Sequence, residues 1–143
     1  MQRAFLGQLN LFSAVGSGNW NGPQTIGPAG LAGSGASIAV SQGLGTNDQT
    51  DVFLIDRSGQ LNVFSVDSSG QWSGPVTVGP QNVAPSGAPL AASQQFGVPN
   101  QTDVFVMNQT GNQNGASGQG WPTVIWSTGP NQWNGPKELV HDL

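Results

Sequence analysis

The sequence predicts an all-β chain built from repeated four-stranded antiparallel sheets. Three observations support this fold class. Segments of the chain recur 52 residues further on, short apolar stretches of strand length recur within each repeat, and Gly, Pro, Asn and Ser separate those stretches. Disordered chains share the high content of Gly, Ser, Gln and Pro but lack regularly spaced apolar segments. We therefore treat residues 1–143 as a single repeat domain.

The repeat is visible in separated segments that keep the same spacing. The matching pairs are Gly7-Gln8-Leu9-Asn10 with Gly59-Gln60-Leu61-Asn62, Trp20-Asn21-Gly22-Pro23 with Trp72-Ser73-Gly74-Pro75, and Gln49-Thr50-Asp51-Val52-Phe53 with Gln101-Thr102-Asp103-Val104-Phe105. We place the repeats at about 7–58, 59–110 and 111–143. The third carries about nine extra residues around 112–122, after which Trp133-Asn134-Gly135-Pro136 resumes the pattern. Insertions of this kind lie in loops.

One complete unit contains four predicted strands. They are Ser37 to Ser41, Thr50 to Asp56, Gln60 to Val66 and Trp72 to Val78. The second strand is continuously apolar, as is its counterpart Val104 to Met107, so we expect both faces of these strands to be buried. The first strand has small residues, which suits a place where several sheets converge. The later strands are more polar and are expected to lie further out.

Sheets packed face to face, crowded at one end and solvated at the other, are the blades of a β-propeller. The chain would hold the last two strands of one blade and then two complete blades. Propellers close with about four to eight blades, so this chain covers an arc and exposes strand edges and apolar faces. We therefore expect a homo-oligomer. Two ways of completing the half blade stay open: a contribution from Met1 to Leu6, or a longer repeat array of which this chain is a segment.

The charge pattern argues against nucleic acid and membrane as partners. Charged residues make up 7% of the chain, the formal net charge is −4, and Arg3, Arg57 and Lys137 are the cations. This leaves no basic patch to neutralise phosphates. No apolar run approaches the ~18 residues of a spanning helix, and the first residues show no signal-peptide hydrophobic region. The sequence thus predicts a soluble chain without a signal peptide, and the absence of Cys leaves the compartment open.

The reactive side chains argue against an enzyme. A sialidase needs a Tyr nucleophile and an Arg cluster, whereas this chain has no Tyr and two Arg. Other glycosidases need a carboxylate pair in one cleft, and several of the seven acidic residues recur with the repeat or lie in turns. His141 is the one His and lies two residues from the end, which makes a catalytic triad untenable. Neither the cysteine-free composition nor the segment Gly45 to Asp48 predicts a metal or a cofactor.

The aromatic candidates for a binding site fall into two groups. Trp20, Trp72 and Trp133 occupy the same place in each repeat, where an indole can stack on a sugar ring or simply wedge neighbouring sheets together. Trp126 stands where the other copies have Ser, and Trp121 lies in the insertion. Because the repeat explains neither of these two, they are candidates for a specialised site or a subunit contact.

Two amides are further candidates. Gln49 and Gln101 begin the repeated Gln-Thr-Asp segments, which offer amide and carboxylate groups to sugar hydroxyls. Thr and Asp directly before a strand also satisfy local backbone amides, so a structural role is the alternative.

The hairpin that leads into the last strand of the unit resembles the Asp-box turn of sialidase propellers. In such a turn the Asp, here Asp67, caps backbone amides and the Gly, here Gly70, takes a positive φ. The turn is a folding motif and carries no implication of catalysis.

Three segments together resemble the blades of PLL-type bacterial lectins, propellers related in design to fucose-binding lectins. They are Asn100 to Val106, Gly59 to Val63, and Gly70 to Pro75 followed by Val78-Gly79-Pro80. The likeness covers nearly the whole chain. It implies non-catalytic binding of glycans or glycoconjugates, with shallow sites between blades for fucose or galactose-type sugars. The chain departs from the group in its Trp-containing insertion and in lacking a repeated Arg and Glu that would clamp fucose.

We therefore predict a homo-oligomeric β-propeller lectin that binds neutral sugars multivalently and acts on extracellular glycans. The alternative is a structural or protein-interaction module, including an engineered or truncated repeat array, that has no sugar ligand.

Overall fold

The computed structural model describes residues 7–42, 49–94, 100–108, 120–129 and 131–139, and these contain ten strands. The strands are β1 (Leu9–Val15), β2 (Asn19–Ile26), β3 (Ile38–Gln42), β4 (Thr50–Ile55), β5 (Leu61–Val66), β6 (Trp72–Val78), β7 (Leu90–Gln94), β8 (Thr102–Met107), β9 (Pro122–Ser127) and β10 (Trp133–Glu138). Within these ranges no helix is long and apolar enough to cross a bilayer.

The strands form three antiparallel sheets, each in chain order. β1 and β2 form a two-stranded half-sheet, β3 to β6 form the middle sheet, and β7 to β10 form the C-terminal sheet. The predicted all-β class and the four-stranded antiparallel sheets are confirmed. The predicted strand Trp72 to Val78 coincides with β6, and the other three differ from the observed strands by one residue at one or both ends. Most of the predicted insertion, and the segments Met1 to Leu6 and Gly45 to Asp48, lie outside the described residues.

β4 is buried on both faces because a sheet covers each side of it. Val52 and Leu54 belong to an apolar cluster shared with the half-sheet. Phe53 and Ile55 belong to a second cluster shared with the C-terminal sheet. The continuous apolar run of this strand therefore supplies both interfaces of the middle sheet, as predicted from the sequence.

The same prediction is wrong for β8. Val104 and Val106 face the middle sheet and are buried, but Phe105 is 38% exposed and Met107 is 51% exposed. Successive residues of a strand point to opposite faces, and no further sheet of the described chain lies over the second face of β8. Burial of both faces of a strand thus requires a sheet on each side, and the sequence of the strand alone does not show whether both sheets are present.

The first strands of the two complete sheets lie side by side, which agrees with their predicted place of convergence. Gln94 Nε2 of β7 donates a hydrogen bond to the carbonyl oxygen of Gln42 in β3. The apolar side chains Ile38 and Val40 of β3 are about half exposed, whereas Leu90 in the same place of β7 packs on the core. The difference arises because, in the part of the chain that the structure describes, the half-sheet places no strand opposite β3.

The turn between β4 and β5 is held by a buried carboxylate. Asp56 accepts hydrogen bonds from the backbone N–H groups of Ser58 (2.8 Å) and Gln60 (3.0 Å) and from Asn62 Nδ2 (2.7 Å). In the C-terminal sheet Asn108 replaces this Asp and donates instead to Glu138 Oε1 at 2.8 Å. The two sheets therefore stabilise the same place with different polar groups.

The Asp67 turn has the geometry predicted from the sequence. Asp67 Oδ1 accepts hydrogen bonds from the hydroxyl and the backbone N–H of Ser69, and Gly70 has a φ of +75°. The Ser69 hydroxyl, followed by its backbone N–H, lowers the pKa of Asp67 because both groups bind the ionised form.

We predict that Ser69→Ala raises the pKa of Asp67 towards its ordinary value, because the larger of the two hydrogen-bond contributions is removed. Since the folded-state pKa is below the unfolded one, the turn is stabilised above the unfolded pKa and loses this contribution as the pH falls through the folded pKa. An NMR titration of the Asp67 carboxyl measures the shift. Ser68→Ala is the matched control and should leave the titration unchanged; equal titrations in both variants would contradict the assignment.

Each last strand contains a Gly that approaches the neighbouring strand closely. Gly74 has a φ of +104°, and a Cβ at this position would lie 2.6 Å from the carbonyl oxygen of Val63. Gly22 and Gly135 repeat this arrangement against the carbonyl oxygens of Leu11 and Val124, respectively. The repeated Gly-Pro pair thus marks a backbone contact that leaves no space for a side chain.

We expect Gly74→Ala to destabilise the chain more than Gly70→Ala. Both positions have positive φ, which costs an L-residue about 1–2 kcal/mol, but a Cβ at Gly70 meets nothing within 4 Å. Urea denaturation monitored by circular dichroism gives the two free energies of unfolding. Equal losses would show that the contact with Val63 relaxes freely.

Candidate functional site

A Trp begins the last strand of each complete sheet and lies on the sheet before it. Trp72 packs on the cluster that contains Leu9 and Leu11 of the half-sheet. Trp133 packs edge-on against Phe53 of the middle sheet, with ring centroids 6.0 Å apart and an interplanar angle of 81°. Both side chains are partly buried. The repeated Trp therefore forms part of each junction between sheets and keeps some of its surface accessible.

A polar cavity of about 230 Å³ lies beside Trp72, between β2 and the start of β6. We call it the Trp72 cleft. Its walls are Gln24, Thr25, Ile26, Gly27, Gly70, Gln71, Trp72, Ser73 and Gly74. Amide and hydroxyl groups thus surround an indole, and this combination can hydrogen-bond to sugar hydroxyls while a ring stacks on the aromatic surface.

The two candidate amides are each bound to the Asp two residues further on. Gln49 Nε2 donates to Asp51 Oδ1 at 2.8 Å, and Gln101 Nε2 donates to Asp103 Oδ1 at 2.9 Å. Asp51 also accepts a hydrogen bond from Ser65 Oγ at 2.6 Å and is fully buried. The carboxylates therefore orient the Gln side chains, which leaves each Gln its carbonyl oxygen and one N–H for other partners.

The structure brings Gln49 and Trp133 to the same junction. Asp51 and Phe53 lie on the face of β4 that meets the C-terminal sheet, Gln49 is bonded to that Asp51, and Trp133 packs on that same Phe53. The cross-strand pairing Asp51–Ser65–Ser73 places the Gln–Asp pair at the same end of the middle sheet as Trp72. Each of the two complete sheets thus carries a Trp on one face of this end and a Gln–Asp pair on the other.

The remaining candidates lie on the outer faces of the half-sheet and the C-terminal sheet, or away from the junctions between sheets. Asp103 pairs with Trp126 across the strands, so Gln101 and Trp126 share the outer face of the C-terminal sheet with Phe105. Trp20 lies on the outer face of the half-sheet and is 71% exposed. Trp121 is bound through its backbone N–H to Asn108 Oδ1 (2.9 Å), at the opposite end of the C-terminal sheet. The structure therefore does not unite it with the other candidates.

The sequence reasoning missed the polar walls of the Trp72 cleft. Gln71 and Ser73 flank the repeated Trp, and Gln24 and Thr25 follow the Gly-Pro of the preceding copy. Their positions beside the repeated Trp-x-Gly-Pro segments were a usable signal. What the sequence could not supply is that β2 of one sheet faces the start of β6 of the next.

One buried hydroxyl of the junction has no partner. Thr102 Oγ1 is inaccessible and makes no hydrogen bond within the described part of the chain. Thr123 lies on the same face of that sheet and is equally buried, but its Oγ1 donates to the carbonyl oxygen of Trp121 at 3.2 Å. The pair allows a direct comparison of a satisfied and an unsatisfied buried hydroxyl.

We predict that Thr102→Val leaves the free energy of unfolding unchanged or raises it by up to about 1 kcal/mol, because an unpaired buried hydroxyl is replaced by a methyl group of similar shape. Thr123→Val, the matched control, should lose about 1 kcal/mol because its hydroxyl is bonded. Thermal and urea unfolding measure both changes. A clear loss of stability in Thr102→Val would reveal a partner for this oxygen.

No group of three His, Cys, Asp or Glu side chains close enough to hold a metal ion is present among the described residues. His141 falls outside those residues. The polar side chains that line the Trp72 cleft are amides and hydroxyls beside an indole, whose chemistry is hydrogen bonding and stacking.

No protein-family model and no curated protein matches the chain. Among solved structures, the chain is similar to the BP39L lectin from Burkholderia pseudomallei, whose crystal structure superposes with a TM-score of 0.83 at 42% sequence identity. The match covers 94% of this chain and 35% of that one, so the chain spans about a third of the lectin's length.

The similarity confirms the resemblance to bacterial lectins that the repeated segments predicted. It also agrees with the prediction that the chain is not an enzyme, because a lectin binds carbohydrate without transforming it.

Proposed function

We propose that the chain is a carbohydrate-binding module that forms an arc of a β-propeller and holds neutral sugars at the junctions between neighbouring sheets. The observation that carries this proposal is the 42% identity to a lectin over 94% of the chain.

The chemistry of the junctions suits a neutral sugar. An indole offers a flat apolar surface to the C–H face of a pyranose, and neighbouring amides and hydroxyls offer both donors and acceptors to its hydroxyl groups. Fucose and galactose-type sugars have such an apolar face. The walls of the Trp72 cleft carry no charged side chain, so recognition there depends on stacking and hydrogen bonds.

Affinity at one site should be weak, and the presence of several sites should compensate for it. A cleft of about 230 Å³ is smaller than the ~300–1,000 Å³ of typical ligand pockets and buries only part of a sugar. Several sites on one rigid arc or ring can gain ~10²–10⁴ in avidity on a surface that displays many glycans. We therefore propose multivalent binding to extracellular glycans as the biological mode of action.

A protein-interaction or structural module without a sugar ligand is the second candidate. The observation that favours it is the packing of Trp72 and Trp133 against neighbouring sheets, since this packing alone would explain why the Trp recurs. The two candidates differ in whether the accessible part of the indole and the polar walls bind a ligand.

We expect the chain to bind glycans that end in fucose or galactose-type sugars on a glycan array, and to bind the free monosaccharide weakly in calorimetry. Gln71→Ala should weaken binding by ~2–10-fold, because a hydrogen bond is worth about 0.5–1.5 kcal/mol. Trp72→Phe keeps an apolar ring against the half-sheet and should weaken binding by up to ~10-fold through loss of stacking area.

Gln81→Ala is the matched control for this experiment. Gln81 is an exposed amide that lines a different cavity, of about 340 Å³, between the middle and C-terminal sheets. The control should bind as the unaltered chain does. Loss of binding in Gln81→Ala alone would move the site to that cavity, and no binding to any glycan by a folded chain would favour the second candidate.

A further inference from the structure

Two apolar faces remain uncovered at opposite ends of the row of sheets. On the C-terminal sheet the outer face carries Phe105 (38% exposed) and Met107 (51% exposed), with Trp126 beside them on the same face. On the half-sheet the outer face carries Phe12 (59% exposed) and Trp20 (71% exposed). We call these the C-terminal face and the N-terminal face.

Within the chain, the faces that are equivalent in the repeat to these two faces already pack against each other. Phe53 holds the place of Phe105 in the middle sheet, and Trp133 of the next sheet packs edge-on against it. At the other junction Phe64 and Trp72 of the middle sheet pack on the half-sheet. Phe64 and Trp72 hold the places of Phe12 and Trp20. Each junction therefore joins a face of the C-terminal kind to a face of the N-terminal kind.

We propose that a second copy of this chain docks head to tail, with its N-terminal face on the C-terminal face of the first. Trp20 of one copy then lies against Phe105 of the other, as Trp133 lies against Phe53. Phe12 occupies the place that Phe64 fills at the first junction. The occupant is a second copy because the required counterpart of each uncovered face is the other uncovered face of the same chain.

The fit between the two faces is supported by the size of Trp126. This residue stands in the place of Ser65, so the C-terminal face is bulkier than the equivalent face of the middle sheet. The half-sheet opposite it has two strands, where the C-terminal sheet has four. A larger side chain on one face therefore meets a smaller sheet on the other.

The same docking would complete a further sugar site between copies. In the chain, the Gln49–Asp51 pair lies on the same face of the middle sheet as Phe53, on which Trp133 of the next sheet packs. Among the described residues, no later sheet brings a Trp to the face of the Gln101–Asp103 pair, and no earlier sheet brings such a Gln–Asp pair to Trp20. Docking joins Gln101 and Trp126 of one copy with Trp20 of the next. This part of the inference rests on the proposed function, whereas the docking itself rests on the apolar faces alone.

Sedimentation velocity over a range of concentrations tests the docking. The unaltered chain should sediment as an oligomer, and Phe105→Lys and Trp20→Ala should each sediment as a monomer. Mixed in equal amounts, the two variants should form a dimer and nothing larger, because the mixture has one intact N-terminal face and one intact C-terminal face per pair. Met107→Lys and Phe12→Lys form a second pair with the same expectation.

Val76→Lys is the matched control. Val76 is exposed on the outer strand of the middle sheet, and the C-terminal sheet carries Lys137 in the same place. It should assemble as the unaltered chain does, and circular dichroism should show every variant folded.

A monomeric unaltered chain overturns the inference. So does assembly that survives in Phe105→Lys and is lost in Trp20→Ala, which would mean that two N-terminal faces meet symmetrically. A mixture of the two variants that stays monomeric also overturns it. Calorimetry with a monosaccharide on the monomeric variants tests the Trp72 cleft separately, so a failure of assembly and a failure of sugar binding are distinguishable.

Discussion

Burial between neighbouring sheets is the interaction on which the rest of this structure depends. Phe53 and Leu54 are adjacent in β4 and enter different apolar clusters, one on each side of the middle sheet. A single four-stranded sheet has no second layer of its own, so it cannot remove both faces from water without neighbours. The middle sheet has a neighbour on each side, whereas the described residues place a sheet on one side only of the half-sheet and of the C-terminal sheet. The exposed apolar side chains Phe12, Trp20 and Phe105 follow from that position in the row rather than from any local feature of their strands.

The junctions that supply stability also create the polar clefts. The Trp72 indole is anchored on the half-sheet, which fixes its orientation without any cost of ordering on ligand binding. Asp51, buried and bonded to Gln49 and Ser65, holds the amide of Gln49 in one arrangement. A rigid aromatic surface and oriented amides are what a weak ligand with many hydroxyl groups requires. Structural and recognition roles of the repeated Trp are therefore compatible, and a variant that keeps the packing is needed to separate them.

Much of the fold could be predicted from the sequence, because the repeat reports the strands and their order. The spacing of apolar residues and the turn residues are enough to predict the four strands of a unit and the two strands of the half-sheet. The exposure of Phe105 and Met107 could not be predicted from their own strand, because Val104 to Met107 has the same apolar pattern as Val52 to Ile55 and differs only in what lies opposite. The number of strands, which fills only an arc, was the feature that predicted exposed apolar faces. The site residues remain a prediction. The Trp residues stand out through their periodicity, whereas the contribution of Gln24 depends on which strands of two sheets meet at a junction.

Positions that are equivalent in the repeat do not have equivalent chemistry, and this bears on how sugar sites can differ within one chain. Gln24 in the wall of the Trp72 cleft corresponds to Val76 at the next junction and to Lys137 in the third copy. In the middle sheet, the Asp56 carboxylate stabilises the turn between β4 and β5. At the same place of the C-terminal sheet, Asn108 replaces that Asp and donates a hydrogen bond to the Glu138 carboxylate. A sheet can thus exchange its polar side chains as long as buried groups keep partners. At this place of the repeat the side chain changes from amide to alkyl to ammonium while the Trp is retained, so the copies share an indole but differ in the hydrogen-bonding groups near it. Under the proposed function, sugar preference should therefore vary from one junction to the next, with the indole setting the class of ligand and the neighbouring polar residues setting the choice within it.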